Sequence, residues 1–182
     1  MRALATLYNP LVNLAERLAP ATLPSLARFT FAATLLGYFW ASALTKHGDG
    51  VLGIIQPSLG AYAQIFPKAM EAASYNVSQL GMFHWAVVVA GTLAEFILPL
   101  LITIGLLTRL AALGMIGFVI VQSLTDLYGH GGIDQPETLG AWFDRIPDSV
   151  ILDQRLFWMV VLVTLVLKGA GPLSIDRLLK VR

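Results

Sequence analysis

Four apolar runs, each close to twenty residues long, constrain this chain more than any other feature: Leu26–Leu44, Phe83–Leu107, Leu110–Leu127 and Ile151–Leu167. About 20 residues rising ~1.5 Å each cross a hydrocarbon layer ~30 Å thick. None of the runs alternates as a barrel strand does, and a helix satisfies its own backbone in lipid. Only 13% of the 182 residues are charged, where about a quarter is usual in a soluble domain. The expected fold class is therefore all-α. Residues 1–182 form one membrane domain, a polytopic four-helix bundle with spans near 26–45, 82–107, 110–128 and 150–168.

Charge distribution predicts the orientation. Residues 1–28, the turn at Arg109 and the tail carry eight basic residues: Arg2, Arg17, Arg28, Arg109, Lys168, Arg177, Lys180 and Arg182. Glu16 and Asp176 are the acids beside them. The two long loops and their flanks carry Lys46, Lys68, Arg145 and Arg155 against eight acids: Asp49, Glu71, Asp126, Asp134, Glu137, Asp144, Asp148 and Asp153. Cytoplasmic segments of membrane proteins are enriched in Lys and Arg, so both termini are expected in the cytoplasm, at a bacterial inner membrane. No cysteine is present, so disulfides, thiolate metal sites and iron–sulfur ligation have no ligand in this chain.

Asn9, Pro10, Asn13, Glu16 and Arg17 interrupt any apolar core of a signal peptide. Residues 1–24 instead predict a short interfacial helix, opened by the Asn9–Pro10 cap and closed at Pro20. Helix one then carries two ladders at four-residue spacing: small Ala33, Gly37 and Ala41, and polar Thr34, Tyr38 and Ser42. Helix two sets Ala86, Ala90 and Ala94 beside Gly91, Glu95 and Pro99. Small ladders let helix backbones approach, and polar neighbours bond across the contact. A turn at Thr108–Arg109 is expected to hold helices two and three antiparallel. The outer stretch "AYAQIFPKAMEAA" predicts a short amphipathic helix, and Trp142 and Phe143 suit an interfacial anchor.

Glu95 is the residue that this composition explains least. It lies ~20 Å along helix two from Met82, where the same count finds Thr34 and Tyr38 but no cation. An ionised, unpaired carboxylate there costs several kcal/mol, so it should be protonated or bonded to hydroxyls, water or a ligand. Pro99 has no N–H for the carbonyl four residues back, which is that of Glu95 itself. Acid and freed acceptor together predict a kink and a small polar pocket. Two readings stand: an acid that fixes the bundle through Tyr38 or Thr34, and a proton-accepting or ligand-binding site.

Towards the outer face, Lys46, Gln122, Asp126 and Arg155 are polar candidates. Lys46 is an interface anchor, and Arg155 pairs with Asp153 or extends towards Gln122 or Asp126. His47, His84 and His130 fall near that face as well. They are either unrelated loop residues or, with Asp126 or Asp49, a metal site. No phosphate-binding loop, nucleophile triad or nucleic-acid-binding pattern is present.

Three segments together resemble the DoxX family of small membrane proteins: "LARFTFAATLLGYFWASALTK", "AEFILPLLITIGLLTRLAALG" and "KGAGPLSIDRLL". They carry an arginine before helix one and a lysine after it (Arg28, Lys46), and a glutamate in helix two (Glu95). A Gly-x-x-x-Arg turn (Gly105 to Arg109) and a tail with Gly169, Gly171, Ser174 and Asp176 complete the pattern. The likeness covers about residues 25–180. It implies a subunit of a membrane redox or stress-response system, similar to a subunit of thiosulfate:quinone oxidoreductase, with a quinone near Glu95 and Tyr38. The expected role is that of an accessory or anchoring subunit, not catalytic alone, working with a protein partner or a second copy in the bilayer. The alternative is a protein that binds or transports a small molecule or metal ion at the outer face. A third reading is an assembly factor that anchors a partner.

Overall fold

The computed structural model describes residues 2–50 and 52–181, without the side chains of residues 2–5 and 7. The side chain of Arg2 and the whole of Arg182, both counted above among the cations of the termini, lie outside the described residues. All regular structure among the described residues is helical. The helices are α1 (Arg2–Phe31), α2 (Gly37–Lys46), α3 (Leu59–Ile65), α4 (Pro67–Ala72), α5 (Met82–Ile104), α6 (Thr108–Leu124), α7 (Pro136–Leu139), α8 (Arg155–Lys168) and α9 (Ile175–Leu178). Wide π-type turns at Ala32–Leu36, Thr125–Gly129 and Val150–Gln154 join α1 to α2, extend α6 and open α8.

Three helical stretches among the described residues are long and apolar enough to cross a membrane: Met82–Ile104, Thr108–Gly129 and Val150–Lys168. Only 28%, 22% and 22% of their most apolar windows are buried inside the protein. Most of that surface, including Leu110, Val121, Phe157 and Leu167, is exposed and is matched by lipid rather than water. The run from residue 2 to residue 46 is helical throughout, so the expected break at Pro20 is absent, although Pro10, Pro20 and Pro24 all lie inside α1. Each proline removes one backbone donor. Beside them, Thr22 donates to Leu18 O at 3.0 Å and Ser25 to Ala21 O at 2.7 Å.

α2 packs on α5, α5 on α6, α6 on α8, and α8 on α1. Phe31, Phe39, Ile102, Met115, Leu162 and Leu165 are wholly buried where these helices meet. Phe39 stands edge-on to Tyr38, Phe118 and Trp158, an arrangement that aligns positive ring edges with negative faces. A second core joins the outer segment to α5 through Ala61, Tyr62, Met70 and Val88. That segment forms two helices rather than one, since Pro67 starts α4 directly after Phe66.

The connection between α5 and α6 also differs from expectation. The break falls at Gly105–Leu107, and Thr108 and Arg109 are the first residues of α6. Gly105 has φ +71°, and a Cβ there would lie 2.6 Å from Ser174 Cβ and 2.9 Å from Arg28 Cζ. Leu107 is also left-handed, at φ +49°. Asp176 holds it there, accepting from Leu107 N at 2.6 Å and Thr108 N at 2.9 Å.

Candidate functional site

The first polar cluster is built on Ser42 and Lys46 of α2, both bonded to Glu95 of α5. The ammonium of Lys46 donates to Ser42 O (3.2 Å), Ser42 Oγ (2.7 Å) and Glu95 Oε1 (3.1 Å). Ser42 Oγ donates in turn to Glu95 Oε1 at 3.0 Å. Glu95 Oε2 lies 3.0 Å from the same nitrogen, so four oxygens surround the three protons of the ammonium. Lys46 is 6% exposed and Glu95 3%, so the charges are paired out of water.

A cation at Glu95 is the main correction to the sequence expectation. Matching helix ends set Lys46 level with Met82, but α2 stops beside Glu95, thirteen residues into α5. α3 lies against both α2 and α5, and Met70 of α4 packs with Val88 of α5. Ser58 N donates to Lys46 O, Gln64 Nε2 to Thr45 Oγ1, and Trp85 Nε1 to Ile55 O. Tyr38 and Thr34, the expected partners of Glu95, bond elsewhere: Tyr38 accepts from Gln122 Nε2 at 2.9 Å, and Thr34 donates to Thr30 O at 2.7 Å. Pro99 is buried within α5, which continues past it to Ile104. Trp40 Nε1 donates to the neighbouring Phe96 O at 3.1 Å, and Thr103 Oγ1 donates to Pro99 O at 2.8 Å. Sequence reasoning passed over Ser42 and Trp40 as site residues. The signal for Ser42 and Lys46 was present, because Lys46 continues the Thr34–Tyr38–Ser42 ladder by one step.

The second cluster joins the ends of α6 and α8. Arg155 Nη2 bonds Asp126 Oδ2, while Asp153 accepts from Ser149 Oγ at 2.6 Å. The expected Arg155–Asp153 pair is therefore replaced, since Ser149 caps the turn in front of α8 and holds Asp153. Asp126 and Asp153 both sit in π-type turns, which widen the helix there and redirect side chains. Arg155 Nε and Nη1 and Gln122 Oε1 are buried without a partner among the described residues.

The histidines act separately. His47 Nδ1 lies 2.6 Å from Gly48 O, His130 Nε2 lies 2.9 Å from Gln64 O, and His84 packs edge-on against Phe66. Among the described residues, no three His, Asp or Glu side chains are grouped to hold a metal ion.

At the opposite end, Arg28, the turn from Gly105 to Arg109 and the tail around Asp176 meet in one place. Arg28 donates to Ile102 O (3.1 Å), Thr103 O (2.7 Å), Ala170 O (2.9 Å) and Leu173 O. Arg109 Nη1 donates to Val166 O (2.5 Å) and Leu167 O (2.8 Å) at the end of α8. Asp176 caps α6, and its own N–H donates to Gly105 O at 2.8 Å. Orphan carbonyls at two helix ends and orphan N–H groups at a third are thereby satisfied, which is a structural task. A cleft of about 1050 Å³ opens beside this clasp, between α1 and the tail, far along the helices from Glu95.

Compared with known proteins, the chain matches no family model, no curated protein and no solved structure. The class defined by its own geometry is an all-helical protein with three helices able to cross a membrane and a buried Lys–Glu pair against one of them.

Proposed function

We propose that this is a DoxX-like integral membrane protein, an accessory or anchoring subunit of a redox or stress-response system, which binds a quinol-like ligand at Glu95. The α1–α2 run is the fourth membrane helix in this reading. It is supported by its packing against both α5 and α8, although Thr30, Thr34, Tyr38 and Ser42 make it more polar than the other three. Both termini lie in the cytoplasm, as the excess of Lys and Arg at the tail end supports.

One observation carries the ligand reading: Glu95 is buried beside a single cation, Lys46, 3.0 Å from its Oε2, and that oxygen has no other donor among the described residues. A ligand hydroxyl adds a neutral donor to that oxygen. The group that fits is an apolar ring with a hydroxyl. Such a ring, when bound, supplies two-electron chemistry coupled to protons. This chain contributes the rest: Glu95 accepts the hydroxyl's hydrogen bond, and Ser42 and Lys46 fix the carboxylate's orientation. Trp40, bonded one residue from Glu95, is a nearby reporter.

Titration with a short-chain quinol and with its O-methylated analogue, read by tryptophan fluorescence, tests this. The quinol should bind at least about tenfold more tightly, the size of one hydrogen bond to a charged group. Equal affinities, or no binding of either, overturn the ligand reading.

A further inference from the structure

The cleft at the tail end is a separate feature and does not depend on the Glu95 reading. Its walls carry Arg109, Lys168, Arg177 and Lys180. None of these has a carboxylate partner, since the side-chain ion pairs among the described residues are Lys46–Glu95 and Arg155–Asp126. The one acid in the wall, Asp176, is taken up by the N–H groups of Leu107 and Thr108. Four cations therefore face a cavity with little opposing charge. Lys168, Arg177 and Lys180 are exposed, so their ammonium and guanidinium groups are free to gather around an incoming anion.

We propose that this cleft binds a phosphate ester, carried by an anionic lipid headgroup or free in solution. Its position defines the chemistry. The cleft adjoins the last residue of α8 and the first residues of α6, which is the level of phospholipid headgroups if these helices cross a bilayer. Arg supplies forked donors matched to phosphate oxygens, and Lys supplies point charge. Leu107 and Leu110, both exposed, form an apolar rim along which the chains of a lipid can lie. A volume of about 1050 Å³ accommodates a headgroup. Basic pockets between helices at a membrane surface bind anionic headgroups in this way.

The test uses the full chain in neutral detergent, with native mass spectrometry for retained lipid and thermal unfolding for protection. Phosphatidylglycerol, phosphatidylcholine and inorganic phosphate are added separately. Phosphatidylglycerol should be retained and should raise the Tm where phosphatidylcholine does not. Lys168→Gln/Arg177→Gln should weaken that retention by at least about tenfold, and Lys68→Gln/Arg145→Gln, at the other end, should leave it unchanged. Full protection by inorganic phosphate supports the site and assigns it to a soluble ester. Equal retention of the two lipids without protection by phosphate, or wild-type retention in Lys168→Gln/Arg177→Gln, overturns the proposal.

Discussion

The Lys46 ammonium lies 3.0 Å and 3.1 Å from the two carboxylate oxygens of Glu95, and Ser42 accepts from it through its backbone and hydroxyl oxygens. A buried charge that loses its partner costs far more than the pair contributes, because desolvation is no longer offset. Lys46→Met should therefore destabilise the protein by about 3–5 kcal/mol. Lys46→Met combined with Glu95→Gln should recover most of that loss. Unfolding in detergent measures both, and equal loss in the single and double variants would show that the lysine stem rather than its charge matters.

Arg28 binds four carbonyls from two chain segments, which one ammonium cannot match in reach or number. Arg28→Lys is expected to lose about 2 kcal/mol or more of stability, close to the loss in Arg28→Met. A lysine variant as stable as the wild type would remove the clasp from the argument for this end of the fold.

Asp176 holds the start of α6. Asp176→Ala should cost about 0.5–2 kcal/mol, the range for a lost helix cap. Hydrogen exchange supplies a local check, since the amides of Leu107 and Thr108 should exchange faster while those in the middle of α6 do not.

Two glycines give opposite expectations. Gly105→Ala meets both a left-handed backbone and side chains at 2.6 Å and 2.9 Å, so it should destabilise markedly, by about 1–3 kcal/mol. Gly117 lies inside α6 with no heavy atom within 4 Å of an added Cβ, so Gly117→Ala should be neutral or stabilising by up to about 1 kcal/mol. Unfolding of the two variants side by side checks the contrast.

The cysteine-free chain makes the orientation simple to test. Single cysteines at Ser78 and Leu178, both exposed, should behave oppositely towards a membrane-impermeant maleimide on intact cells. Ser78→Cys should be labelled at once and Leu178→Cys only after permeabilisation. The reverse pattern contradicts the placement of both termini in the cytoplasm.

Hydropathy alone located the three apolar helices, because length and lipid compatibility are local properties of the chain. The long run through Pro20 and Pro24 was not legible, since a proline removes one bond without stating whether packing compensates. Depth was the larger failure. Counting residues from assumed helix ends set Tyr38 opposite Glu95, whereas α2 ends beside Glu95 and Lys46 reaches it. For Arg155 the sequence left Asp153, Gln122 and Asp126 open, and the bond of Ser149 to Asp153 leaves Asp126 as its partner. The tail motif was visible as residues, whereas its task, capping three helix ends at once, depends on contacts more than sixty residues apart.

The central claim is that Glu95 presents an acceptor to a hydroxyl-bearing ring, and quinol content tests it most directly. The full chain is purified from native membranes as wild type, as Glu95→Gln and as Lys46→Met/Glu95→Gln, and each is extracted for chromatography. Purified under reducing conditions, the wild type should carry quinol in stoichiometric amount, and both variants should have lost most of it, since a neutral amide accepts more weakly than the carboxylate. A wild-type protein without quinol, or equal quinol in all three, contradicts the claim.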